Sequence, residues 1–170
     1  MEPLTEAQVR ASFVNCSKGE ARRLNLPSGL AQRRWSDLDF LGWVDPKAPL
    51  QACLVVPAAG HGLVGIALRR NTSTPGVGRA RMCSVCTTTH SAQGVSLMVA
   101  ARAGRPGREG NTVGLDICAG LECSLHARGL LPLPAMSAAR ETLSVEERID
   151  RVQRNVEAFV ARVLRAPSTG

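Results

Sequence analysis

Arg81-Met82-Cys83-Ser84-Val85-Cys86 opens the stretch on which the reading of this chain turns, and Leu115-Asp116-Ile117-Cys118-Ala119-Gly120-Leu121-Glu122-Cys123-Ser124-Leu125-His126-Ala127-Arg128 closes it. Four of the six cysteines lie here, as a C-x2-C pair and a C-x4-C pair separated by a β-rich insert. A tetrahedral four-cysteine zinc site requires four thiolates in one small volume, and two pairs delivered by two tight local turns supply them. The first pair reads as a knuckle in a loop. The second straddles the end of a strand, 112–117 ending at Cys118, and the start of a helix that holds Cys123 in its first turns. A knuckle combined with a helix N-terminus is the arrangement of a treble clef.

Other uses of these cysteines fit less well. Nothing marks the chain as secreted, which disfavours disulfides. The strand, C-x-x-C, helix setting of a redox site is absent around Cys83, because Thr87-Thr88-Thr89 start helices poorly. Ordinary core packing is the remaining alternative. His90 and His126 follow Cys86 and Cys123 closely enough for either to replace a cysteine in a site of three cysteines and one histidine. Four cysteines already fill four-coordinate zinc, so both histidines are expected outside the ligand set, with His126 pointing to solvent or to a partner. His61, between Gly60 and Gly62, reads as a turn residue. A catalytic zinc keeps one position open for water, so a closed four-thiolate site predicts one structural Zn2+.

Length and composition narrow the class. The 170 residues suffice for one domain or two small ones, and 44% hydrophobic content predicts a real core. Aromatic content is 3%, with no tyrosine, so the core is aliphatic and platforms for stacking single-stranded bases are not expected. No apolar run is long enough to span a membrane. Met1-Glu2-Pro3-Leu4-Thr5-Glu6 has neither the basic nor the apolar region of a secretion signal, so a cytoplasmic protein is expected. Of the net charge of +7, +5 falls in residues 50–130, with eight basic and three acidic residues. Zinc with four thiolates would bring that segment to about +3, a modest basic surface suited to an acidic protein or to RNA phosphate.

The flanks place the site within an α+β chain. Thr5-Glu6-Ala7-Gln8 and Ser17-Lys18-Gly19-Glu20 are capping boxes, predicting short helices to about Asn15 and to Leu24. A third short turn or helix covers 29–35, and Phe40, Leu41 and Trp43 anchor a core within an irregular or short-strand stretch. Asp37 and Asp39 read as solvated turn carboxylates. The apolar run 52–56 predicts a buried strand, returning over 63–68 as a hairpin. Strands at 95–101 and 112–117 flank a basic turn at 102–108. Cys16 and Cys53 read as packing residues. Ser144-Val145-Glu146-Glu147 opens a helix to about Leu164, whose apolar face is Ile149, Val152, Val156, Phe159, Val160 and Val163. The predicted organisation is a helical part over 1–48 and an α/β part over 49–170, containing a zinc finger at 83–129 and a helix at 144–164.

The segments Asn15-Cys16-Ser17-Lys18-Gly19-Glu20-Ala21-Arg22-Arg23, Cys83-Ser84-Val85-Cys86, 114–124 and 157–164 together resemble the FBP family of elongation-factor-G-binding proteins, relatives of the FusB-type fusidic acid resistance proteins. The resemblance implies Cys83, Cys86, Cys118 and Cys123 as ligands of a treble-clef zinc. It also implies binding of the zinc-finger part to elongation factor G and release of the factor from the ribosome. Arg79, Arg81, Ser124, His126 and Arg128 are the expected partner surface, since they flank the metal site at polar positions. The alternative is a zinc finger that binds ribosomal RNA or the ribosome through its loop arginines. No H-E-x-x-H, P-loop or G-x-S-x-G motif is present, so an enzyme is not expected.

Overall fold

The computed structural model describes residues 1–71, 80–91, 93–138 and 141–165. A five-stranded antiparallel sheet forms its centre. In spatial order its strands are β1 (Leu41–Val44), β2 (Gln51–Ala58), β3 (Gly62–Arg70), β6 (Val95–Ala101) and β7 (Thr112–Cys118). Two short strands, β4 (Arg81–Met82) and β5 (Thr89–His90), pair around the knuckle. The helices are α1 (Glu6–Ala11), α2 (Lys18–Arg23), α3 (Arg105–Arg108), α4 (Cys123–Ala127), α5 (Ala135–Ala138) and α6 (Val145–Leu164). No helix among the described residues is long and apolar enough to cross a membrane.

The sheet is covered on both faces, which explains the unbroken apolar run of β2. Leu54, Val56, Ile66, Met98, Leu115 and Ile117 join Val152, Val156, Phe159, Val160 and Val163 of α6 in one buried cluster. On the other face Leu41, Trp43, Cys53 and Val55 pack with Val9, Leu30 and Trp35. Burial pushes the Cys53 thiol up to about 12, in keeping with an inert packing residue. All three expected capping boxes are formed, at Thr5, Ser17 and Ser144.

Helix α1 stops at Ala11, short of the expected Asn15, because the sheet captures the residues that follow. Strands β3 and β6 pair only at Arg69↔Val99 and Arg70↔Met98. Beyond that point residues 12–15 are wedged beside β3. Gly65 donates to the Ser12 carbonyl, Val14 donates to the Gly65 carbonyl, and Phe13 forms a parallel bridge with Gly65. A Cβ on Gly65 would lie 2.5 Å from Ser12 Oγ, so a larger residue would push the wedge out.

Asn15 then completes the ladder with its side chain. Its Oδ1 accepts from Ala67 N at 2.8 Å, and its Nδ2 donates to the carbonyls of Ala67 at 2.9 Å and Ala101 at 3.1 Å. Asn15→Ala should therefore cost about 2–3 kcal/mol in urea unfolding, through strand groups left without partners in a half-buried setting. Asn15→Asp keeps the acceptor for Ala67 but cannot donate, and should fall between the two.

Candidate metal centre

The knuckle forms because its backbone closes on itself. Cys83 N donates to Thr88 O and Thr87 N to Cys83 O, each at 2.9 Å. The second pair is shaped by a turn in which Leu121 N donates to Cys118 O at 2.8 Å, after which Cys123 begins α4. Thr87 and Leu121 have positive φ, +60° and +61°. Left-handed backbone costs a non-glycine residue about 1–2 kcal/mol. Leu121 has a compensation, since its side chain is buried and its Cβ occupies the space that a Cβ on Gly42 would need. Thr87 is only half-buried, so its side chain has less packing to lose. Thr87→Gly should stabilise the fold by about 0.5–1 kcal/mol, part of the relief being offset by the greater backbone freedom of unfolded glycine. Leu121→Gly should destabilise it. Thermal melts of the two variants decide both.

Cys83, Cys86, Cys118 and Cys123 come together as expected. All four are buried, and their sulfurs lie within 4.8 Å of one another. Cys83 and Cys123 approach to 3.6 Å, Cys86 and Cys118 to 3.5 Å. The edge of a tetrahedron with zinc–sulfur bonds of about 2.3 Å is about 3.8 Å, so the cage fits one zinc. As free thiols the four share protons. Hydrogen bonds from Cys118 and then Cys123 hold Cys83 and Cys86 below the ordinary thiol range, while burial, above all, holds Cys123 above it. Val85 N and Cys86 N point at Cys83 Sγ from 3.3 and 3.5 Å, and Thr88 Oγ1 lies 3.2 Å from Cys86 Sγ. The two backbone donors would spread the negative charge of four zinc-bound thiolates.

Helix α6 secures both halves of the centre. Asn155 Nδ2 donates to the Val85 carbonyl in the knuckle at 2.9 Å. Gln153 Nε2 donates to Asp39 Oδ1 at 3.0 Å, and Asp39 takes a two-pronged ion pair from Arg128 at 2.6 and 2.9 Å. Ser124 Oγ accepts from Asp39 N at 3.0 Å, closing a junction of α4, α6 and the segment before β1.

That junction corrects three expectations. Asp39 is buried rather than a solvated turn carboxylate, whereas Asp37 is half-buried and paired with Arg34. Ser124 and His126 are buried, and Arg128 is committed to Asp39, because α4 is packed on α6 and turns these polar residues inward. His126 thus does not point to solvent. Its ring meets that of His90 edge to face at 5.2 Å, and His90 Nε2 lies 3.4 Å from Cys118 Sγ. Burial first, then the neighbouring His126, lowers the His90 pKa and favours a neutral ring. Arg81 is half-buried and paired with Asp116, next to the exposed Met82. Arg79 lies outside the described residues, as do residues 72–78 of the same basic loop.

Gln153 and Asn155 were missed because a polar residue on an amphipathic helix carries no signal of what it meets. His90 carried one, its closeness to Cys86 in sequence, although its neighbour in space is Cys118.

A knuckle and a short helix delivering four buried thiols, set on an antiparallel sheet and backed by a long helix, define a treble-clef zinc-finger protein of the α+β class. The FBP C-terminal treble-clef zinc-finger family model matches residues 8–163, and the chain belongs to that family. No curated protein matches the sequence. Among solved structures the fold is similar to that of the fusidic acid resistance protein FusC, with a TM-score of 0.56 at 13% identity. The match covers 95% of this chain and 59% of the FusC chain. A zinc-finger family and a four-cysteine cage of these dimensions are consistent with one structural zinc.

Proposed function

We infer that this is a non-enzymatic binding protein of translation. Cys83, Cys86, Cys118 and Cys123 hold one structural Zn2+, and the zinc-finger part binds elongation factor G in the cytoplasm and assists its release from the ribosome. The observation that carries this reading is the buried four-sulfur cage within an FBP-family chain. The likeness in fold to a fusidic acid resistance protein supports a link to that drug. Four thiolates leave zinc no open position for substrate or water, which supports a role in binding. A partner that prefers the released conformation of the factor shifts its population toward release, with no covalent step.

On this reading residues 49–170 are the factor-binding part, and residues 1–48 complete its sheet with the edge strand β1 and buttress it with the short helices before it. Arg81, Met82 and Arg79 contribute to the partner surface, with Met82 59% exposed. Ser124, His126 and Arg128 act from beneath, by holding α4 in place. A second reading has the protein bind ribosomal RNA or the ribosome. It draws on Arg105, Arg108, Arg162 and Arg165, all exposed on α3 and the end of α6, where Arg102 bonds the carbonyls of Arg162 and Arg165.

Calorimetry of the zinc-loaded protein with purified elongation factor G at two salt concentrations separates the readings. A near-stoichiometric complex that persists in higher salt, and that Met82→Glu weakens, is expected. Absence of that complex, with retention on ribosomes that falls steeply with salt, would replace it by the RNA reading.

A further inference from the structure

One group of metal-binding side chains lies beside the four-sulfur cage and has no role in it beyond the cysteine they share. His90, Cys118 and His126 each offer a donor atom within 4.8 Å of the other two. His126 is 7% exposed, and its Nδ1 is buried with no hydrogen-bond partner among the described residues. A buried ring nitrogen in that state calls for an explanation, and a bound cation is one that satisfies it. The His90 ring is closely seated. A Cβ on Gly94 would come within 2.3 Å of His90 Cβ and 2.8 Å of its Nδ1, so only glycine leaves room for the imidazole there.

We propose that His90, His126 and Cys118 form a second cation site, taking a further zinc-class divalent ion, with Cys118 bridging the two metals. The site rests on the four-cysteine assignment made above. An ion about 2.3 Å from sulfur and about 2.0 Å from nitrogen spans the 3.4 Å between Cys118 Sγ and His90 Nε2 at an angle of about 105°, close to tetrahedral. Imidazole and thiolate donors select ions of this class over magnesium or calcium. A thiolate bound to one zinc retains lone pairs for another. The first zinc with four thiolates carries a buried charge of −2, which a second dication neutralises. Three protein ligands leave a fourth position open on the half-exposed His90 side, so the second ion exchanges more readily than the first.

The test uses the full chain without a histidine tag, purified with its zinc and then titrated with Co2+, zinc content being measured throughout to separate exchange from added binding. One further equivalent is expected, with visible d–d absorption and a sulfur-to-cobalt charge-transfer band. His90→Gln and His126→Phe should each weaken that equivalent by at least about tenfold while the first zinc stays. Cys16→Ser should change nothing. His90 is half-exposed, so His90→Gln decides the matter even if His126→Phe fails to fold. The proposal is overturned by the absence of a second equivalent, by uptake without the charge-transfer band, or by uptake indifferent to His90→Gln. A chain purified without any zinc overturns the four-cysteine assignment and the bridged site together.

Discussion

Cys123→Ser is expected to abolish stoichiometric zinc and to remove most of the cooperative thermal unfolding. Cys123 is fully buried, and the four cysteines belong to the same apolar cluster as the sheet and α6. Structural zinc contributes about 10–16 kcal/mol to folding in small fingers at neutral pH. A whole domain is stable by only about 5–15 kcal/mol, so this cage is comparable to the entire margin. Replacing Cys123 would also leave three close sulfurs facing a hydroxyl at a buried position. A strong chelator should reproduce the variant's melt in the natural chain, and added Zn2+ should restore the chain but not the variant. Cysteines that bind zinc do so as thiolates, so a zinc-bound folded state would hold fewer protons than the unfolded one. Stability is therefore present above the ordinary thiol range and is progressively lost as pH falls and protons displace the metal. Calorimetric melts with metal analysis check all three arms. A Cys123→Ser chain that retains one zinc and melts within about 2 °C of the parent would show that the cage holds nothing together.

How much of this was legible depended on whether a feature was local. Cysteine spacing, capping boxes and the apolar stripe of α6 are properties of a few neighbouring residues, and all three reappear in the fold. The strand at 52–56 was legible for the same reason, with Gln51–Ala58 as its observed extent. Residues 12–15 were not, since their capture by Gly65 and the use of an asparagine side chain in place of a strand depend on where β6 diverges from β3. The polar residues of α4 were misjudged as surface for a related reason. A five-residue helix lacks the length to show periodicity, so the side on which α6 would pack could not be read from it.

The junction that sequence could not show carries the second large expected effect. Asp39→Ala should destabilise the protein by about 3–5 kcal/mol, the range for breaking one half of a buried ion pair. The Asp39 side chain is 1% exposed and that of Arg128 16%, so water offers little replacement for the lost partner. Removing the carboxylate leaves the Arg128 guanidinium uncompensated and deprives Gln153 of its acceptor. Arg128→Ala should cost a similar amount from the other side, through a buried carboxylate left, among the described residues, with Gln153 as its side-chain partner. Asp39→Asn preserves shape and one acceptor but not the charge, and should recover only part of the loss. Because each single change strands the other group, the double variant Asp39→Ala/Arg128→Ala should cost well under the sum, with a coupling of at least about 2 kcal/mol by urea unfolding. A purely additive double variant would refute the pairing. The expected order also separates this junction from the metal cage. The Asp39 variants should keep their zinc at neutral pH while releasing it faster to a chelator, since α4 carries both Cys123 and, at its end, the arginine that anchors the helix to the rest of the fold.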